Sequence, residues 1–405
     1  MQGTGTEHRV VIVGAGYAGL MAAARLARHA AVSVTLVEPS DVFVERIRLH
    51  QWAAGQRPTG RPLRELLAKR VRWVQDRAAA IDLAARTVRV SGGEALVYDQ
   101  LIVAVGSRID RSRVPGAAEH CLSLETAAAA GQVRALARRG GTLAVVGFGL
   151  TGVEAASELA EAYPGLRVRL VGRGRLDDAL SPSAAAHVRT VMARLGAEVV
   201  EGVEVTAVHG DRLATTSGDL ACDACVWAGG FRAPELAARA GLPVAADGRV
   251  RVDAGLRALG RPEVLVVGDA AHAVSDGPLQ DLGRPLAIEA VTGPALRMAC
   301  ASAMPMGAHA ADQVIRALTG KPPAPARIGL FGRCVSLGRR DGFVQRGEGE
   351  GLRPGLLRGR VAAIIKEMVC RMTVVALRAE ARGVGLYRWP HPHPTLASAT
   401  AAVHS

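Results

Sequence analysis

Two glycine-rich turns carry the clearest chemistry in this 405-residue chain: Gly14-Ala15-Gly16-Tyr17-Ala18-Gly19 and Gly147-Phe148-Gly149-Leu150-Thr151-Gly152. Each follows an apolar run, Val10 to Val13 and Leu143 to Val146, and each opens an Ala/Leu-rich stretch. That is the strand–turn–helix context in which a backbone cradles a dinucleotide pyrophosphate. The first glycine permits the tight turn, the second admits the phosphates, and the third lets helix and strand pack closely. The helix N-terminus adds amide donors and the positive end of its dipole. Ala15, Tyr17, Ala18 and Thr151 lie within the same two cradles. Two such turns imply two dinucleotides meeting end to end, the arrangement in which a flavin takes hydride from a nicotinamide.

The strand after the first turn, Ser33 to Val37, ends on Glu38. A carboxylate about twenty residues beyond the glycines is placed to accept ribose hydroxyls, so Glu38 is assigned to the first nucleotide. The second unit differs at this point. Arg167 to Val171 aligns with Ser33 to Val37, which puts Gly172 where Glu38 stands, with Arg173 and Arg175 following. A 2′-phosphate wants cationic donors and no neighbouring carboxylate, so the pattern favours NADPH over NADH.

These residues need elements to position them. The first unit reads as a strand at Arg9 to Val13, a helix from about Ala18 to His29, and the Ser33 to Val37 strand. An acid-led apolar strand, Asp99 to Val105, then ends on Gly106, and a related pattern runs from Asp223 to Gly229. Each lies roughly 80 to 90 residues after its glycine turn, the mark of two copies of one nucleotide-binding unit. A further strand, Glu263 to Val267, leads into Gly268-Asp269, and a helical segment follows at Pro294 to Leu318. Pro322 to Pro325 reads as a linker to a smaller tail, residues 326–405, whose Pro/His/Ala-rich end is expected to be poorly ordered.

Composition narrows the function classes. With 49% hydrophobic residues the chain can bury two or three cores. The net charge of +13 comes from scattered arginines, Lys69, Lys321 and Lys366 being the only lysines. Aromatics make up 3% of the chain, too few for the base-stacking surface of a nucleic-acid binder, so none is expected as a partner. No apolar run reaches the ~18 residues of a membrane span. The N-terminal apolar run leads directly into a glycine turn, unlike a secretory leader, so the cytoplasm is the expected location. Six sparse cysteines suit a reducing compartment. Cys222 and Cys225 have redox spacing but straddle the start of a strand, which reads as structural; with no second Cys/His pair at ligand spacing, no metal site is expected.

In order and type these landmarks resemble the two-dinucleotide-binding-domain flavoproteins, the FAD-dependent pyridine nucleotide oxidoreductases, and most closely the type II NADH dehydrogenase branch. The resemblance covers roughly residues 8–320 in motif order. It implies an α/β fold with two Rossmann-like dinucleotide-binding domains, one inserted in the other, plus a small C-terminal α+β domain. The FAD-binding domain would comprise residues 1–115 and 250–320, the NAD(P)H-binding domain 116–249, and the C-terminal domain 326–405. FAD would take its ADP half to Gly14, Gly16, Gly19 and Glu38, and its ribityl chain to Gly268 and Asp269, beside Gly106. NAD(P)H would take Gly147, Gly149 and Gly152. Arg48, in the run Arg46 to His50, stands where relatives line the flavin ring or its diphosphate. The resemblance also implies Glu154 beside the nicotinamide and flavin rings, and Lys366 approaching the flavin from the tail.

The implied activity is hydride transfer from NAD(P)H to FAD, then electron transfer to a quinone-like or aromatic small molecule. Met298 to Gly307 supplies an apolar acceptor floor without the glutamine of quinone-reducing relatives. A reductase serving a ferredoxin or rubredoxin, and a flavoprotein that senses redox state without turnover, are the alternatives. Val361 to Leu377 reads as an amphipathic helix packing on the body or on a second copy of the chain, with peripheral membrane contact as the further outcome.

Overall fold

The structure is a computed structural model that describes residues 7–57, 60–274, 295–330, 332–346 and 355–390. Two parallel sheets repeat one arrangement. In the first, His8–Val13 lies at the centre, flanked by Val32–Val37 and then Val71–Val74 on one side. On the other side stand Gln100–Val103, Arg261–Val266 and the edge strand Arg257–Ala258. All neighbours are parallel except that last pair. In the second sheet Gly141–Val146 is central, with Leu166–Val171 and Glu198–Val200 on one side and Ala224–Trp227 and Cys121–Leu122 on the other, all parallel.

The sequence pattern explains the centre of each sheet. Val10 to Val13 and Leu143 to Val146 are buried along their length, as continuous apolar runs must be when a parallel sheet is covered on both faces. The two acids that lead the returning strands have the same task. Asp99 accepts the Arg9 backbone N–H at 2.8 Å, and Asp223 accepts that of Thr142 at 2.7 Å. Each carboxylate thus pairs a donor that the start of a central strand would otherwise leave open. Both units also carry a three-stranded antiparallel meander before the acid-led strand, Ala78–Asp82 with Thr87–Val90 and Ala95–Val97, and Val205–Val208 with Arg212–Thr215 and Leu220–Ala221. An antiparallel ribbon, Arg108–Ile109 with Phe231–Arg232, joins the units.

Helix Tyr17–Leu26 is buried nearly all round because it lies between the first sheet and the long helix Cys300–Leu318. Small residues set that approach: a Cβ on Gly307 would stand 2.1 Å from the Ala18 carbonyl oxygen. The long helix starts at Cys300, later than the sequence suggests, and Pro294 lies outside the described residues.

The tail forms an antiparallel sheet, Gly332–Ser336, Gly342–Arg346 and Leu356–Arg358, followed by helix Arg360–Ala381. Its apolar residues are divided between the two cores. Val335, Leu337 and Phe343 join the core of the second unit, while Val374 and Leu377 join that of the first. The tail therefore braces both units, and its helix, as expected, packs one face on the body. The Pro/His/Ala-rich end, 391–405, lies outside the described residues.

Candidate active site

The first glycine turn has the shape of a phosphate cradle. Gly14 has a φ of 102°, which disfavours any side chain, and a Cβ on Gly19 would stand 1.9 Å from the Gly14 carbonyl oxygen. A Cβ on Gly16 would meet no protein atom within 4 Å. Fold alone thus demands the outer glycines, while the middle one faces space left for a ligand. Tyr17 and Ala18 are buried, with the Tyr17 ring edge-on to Phe43 at 5.1 Å. Glu38 is drawn to the turn: Oε2 accepts the Ala15 N–H at 2.9 Å and Oε1 that of Ser40 at 3.1 Å. An 850 Å³ cavity opens here, bounded by Gly14, Glu38, Arg77, Ser107, Arg232 and their neighbours.

The parallel pairing of Arg261–Val266 with Gln100–Val103 brings Gly268-Asp269 against Gly106-Ser107. The Ser107 hydroxyl donates to Asp269 Oδ2 at 2.7 Å, and the Arg46 guanidinium donates to the Ser107 carbonyl at 2.9 Å. The Gly268 N–H points at Met306 Sδ, 3.1 Å away. Met304 and Met306, in the supposed acceptor floor, are buried within the first core. Arg48 is engaged elsewhere. It makes two hydrogen bonds with Glu367 of the tail helix, at 2.8 and 3.1 Å, and others with Glu45 and Gln51. Burial opposes the charge on Glu367, yet Arg48 overrides it and holds that carboxyl near a pKa of about 2.

The second turn repeats the first down to its constraints. Gly147 has a φ of 122°, a Cβ on Gly152 would stand 2.0 Å from the Gly147 carbonyl oxygen, and one on Gly149 would meet nothing within 4 Å. Thr151 lies half-buried in the first turn of helix Leu150–Ala162. At the end of the neighbouring strand, a Cβ on Gly172 would stand 2.8 Å from the Phe148 ring. An aromatic face thus occupies the corner that Glu38 takes in the first unit. Arg173 and Arg175 project into solvent, 80% and 66% exposed.

Glu154 and Lys366, which the resemblance places near the rings, meet. Lys366 Nζ stands 2.9 Å from Glu154 Oε1, and the Ser336 N–H donates to the same oxygen at 3.0 Å. Glu154 reaches this point from helix Leu150–Ala162 and Lys366 from helix Arg360–Ala381; Ser336 ends a strand packed between them. Burial disfavours both charges. The lysine nonetheless lowers the carboxyl pKa, and the carboxylate raises that of the lysine, so the pair is ionised. His50 Nδ1 lies 4.0 Å from Glu154 Oε2, and burial, against the pull of Glu154, lowers the imidazole pKa to about 4.

Sequence reasoning missed several members of this cluster. His50 closes the run that drew attention to Arg48, and Glu158 stands one helical turn beyond Glu154, a spacing visible in the sequence. Ser336 and Arg339 left no signal, being brought in by a tail hairpin. Cys300, Cys334 and Cys370, isolated in sequence, all lie within electrostatic reach of Lys366. Cys222 and Cys225 are buried away from this cluster; Cys225 faces Cys121 across paired strands, the sulfurs 3.1 Å apart.

Two glycine turns of phosphate-cradle shape and a buried carboxylate–ammonium pair on the helix that the second turn opens are the parts that a flavin-dependent oxidoreductase fed by a nicotinamide would use. Known proteins agree. Residues 8–298 match the Pyridine nucleotide-disulphide oxidoreductase family. An NADH dehydrogenase-like protein of Mycobacterium tuberculosis is 31% identical over 366 residues, covering 82% of this chain and 86% of that protein. Demethylphylloquinone reductase of Synechocystis is 26% identical over 372 residues, covering 85% and 88%. The structure of NDH2 from Plasmodium falciparum in complex with NADH superposes with a TM-score of 0.76 at 14% identity, over 96% of this chain and 100% of that one, a likeness of fold. The chain belongs to the Pyridine nucleotide-disulphide oxidoreductase family and is an FAD-dependent NAD(P)H oxidoreductase.

Proposed function

We propose that the enzyme oxidises NADPH and reduces a quinone-like acceptor through bound FAD: NADPH, a proton and the quinone give NADP⁺ and the quinol. The observation that carries this reading is the buried Glu154–Lys366 pair, 2.9 Å apart where the second turn's helix meets the tail. When bound, FAD would accept hydride and pass on two electrons. Gly14, Gly16, Gly19 and Glu38 would hold its ADP half and Asp269 its ribityl chain, while Gly147, Gly149, Thr151 and Gly152 hold the nicotinamide cofactor. The ammonium of Lys366 offers fixed positive charge for an acceptor gaining electrons, and Glu154 keeps that lysine charged and aimed. The relative that reduces demethylphylloquinone supports a quinone. The missing carboxylate at Gly172, with Arg173 and Arg175 beside it, supports NADPH.

The outer face of the tail helix supports contact with a membrane surface, where lipid-soluble quinones reside. Val361, Ile364, Met368, Met372 and Val375 are each more than half exposed on that face, at the spacing of one helical stripe. Among the described residues no helix is long and apolar enough to cross a membrane, so the contact would be peripheral.

Stopped-flow spectroscopy tests the reading. Bleaching of the flavin by NADPH faster than by NADH, followed by recovery on adding a quinone, is expected. Preference for NADH overturns the cofactor choice. Recovery only with a ferredoxin or rubredoxin transfers the function to electron-transfer reductases, and no recovery with any acceptor to redox sensing.

A further inference from the structure

Helix Leu150–Ala162 buries two carboxyl groups one turn apart, and their surroundings differ sharply. Glu154 has an ammonium and a backbone N–H. Glu158, 1% exposed, has a neutral amide: Gln56 Nε2 donates to its Oε2 at 2.7 Å. Its Oε1 is buried and accepts no hydrogen bond, the Arg339 guanidinium standing off at 3.8 Å. On the far side of Glu154, His50 Nε2 is likewise buried without a hydrogen bond. Burial raises the Glu158 pKa; Arg339 opposes this and Glu154 adds to it, so that it stands at about 7. Paired carboxyl groups whose environments drive them to opposite protonation states mark acid–base function.

We propose that Glu158 relays protons between solvent and the Glu154–Lys366 pair. This rests on the acceptor reading above, because forming a quinol consumes one proton beyond the hydride. The O–H bond of Glu158 breaks as one forms on Glu154, which passes its proton on toward the acceptor, and Glu158 regains a proton from solvent beside Arg339. No electrons move in the relay. Arg339, 42% exposed, marks the outer end and also contacts Glu367 at 3.4 Å. The charged groups that act on Glu158 are Arg339 from the tail hairpin and Glu154 and Glu161 from its own helix; His50 and Lys366 stand against Glu154, and Glu367 of the tail helix against Arg339. Glu158 touches no acceptor and acts through Glu154.

The test compares the wild-type holoenzyme with E158Q, which keeps the shape and the Gln56 contact, and with E158D, which keeps an acid. E158Q should leave flavin bleaching by NADPH within about twofold, yet slow reoxidation by quinone roughly tenfold to hundredfold and flatten its pH profile near neutrality. E158D should recover part of the rate. Infrared difference spectra on dithionite reduction, which need no acceptor, should show a carboxylic-acid C=O band in the wild type that E158Q lacks and E158D shifts. A carboxyl region unchanged by E158Q, or a reoxidation profile unchanged by it, overturns the relay. A wild-type enzyme that no quinone reoxidises sinks the acceptor reading alone, and the infrared band then decides the protonation of Glu158.

Discussion

The two nucleotide-binding units share sheet order, meander, acid staple and glycine geometry, and differ in the helix each glycine turn opens. Helix Tyr17–Leu26 places Met21, fully buried, at the position matching Glu154, and Arg25 at the position matching Glu158. Arg25 closes on Asp312 at 2.6 Å, a structural tie to the long helix. The first helix is thus held by apolar packing and by the ion pairs of Arg25 with Asp312 and Glu380 at its margin. The second buries two carboxyl groups that its own fold does not require. One scaffold used twice separates what the scaffold needs from what has been added to it, and the additions lie where the two cofactors are proposed to meet.

The largest test breaks the likeness of the two turns one at a time. Gly16→Val should fold but purify without flavin. Gly149→Val should purify yellow, bleach with dithionite, and need at least about 100-fold more NADPH for half-saturation, ~2.8 kcal/mol at 1.4 per decade. Absorbance spectra and steady-state kinetics check both. Next, Glu154→Met gives the second helix the residue of the first. Left beside no carboxylate, buried Lys366 should cost about 3–5 kcal/mol in thermal or urea unfolding, and E154M combined with K366M should recover much of it.

Smaller effects sharpen the contrast. Glu158 is raised from its ordinary 4.5 to about 7, so the native state binds its proton more tightly than the unfolded chain does. Its contribution to stability is full below about pH 4.5 and lost as pH rises through about 7, and E158Q should remove that slope from a Tm-versus-pH curve. Glu367 has the opposite sign. Lowered to about 2, it contributes above about pH 4.5 and loses that contribution as pH falls toward 2. Arg48→Ala should reduce the acid-side slope, with Arg371 and Arg339 keeping the remainder. The smallest change is expected from Arg173→Ala with Arg175→Ala, raising the NADPH KM about fivefold to tenfold while leaving that for NADH unchanged. Phe148→Ala with Gly172→Asp should then tip preference toward NADH.

Much of this was legible because local rules dictate it. Glycine spacing and apolar runs are constraints within one strand–turn–helix unit, so they show in one stretch of sequence, and the leading acids Asp99 and Asp223, although they bond 90 and 81 residues back, showed because the pattern occurs twice. Glu154 and Lys366 were each visible as candidates, but their 2.9 Å meeting depends on how the tail folds back. Ser336 and Arg339 were invisible for that reason, since a hairpin residue of ordinary type carries no mark of the helix it will touch. Arg48 shows the converse: the same guanidinium suits a phosphate, a flavin carbonyl or Glu367, and only tertiary packing chooses among them. Gly172 was read as a missing acid, while its need to clear the Phe148 ring appears only in three dimensions.

The tail helix turns Lys366 inward and its apolar stripe outward on a single rod. A load on the outer face, from a lipid leaflet or another molecule, would fall on the same rod that carries the ammonium. Arrival at a surface and readiness to react would then be one mechanical event. Shortening the chain before Arg360 would strip the buried Glu154 of its ammonium, so an affinity tag belongs beyond Pro390 rather than in place of the helix.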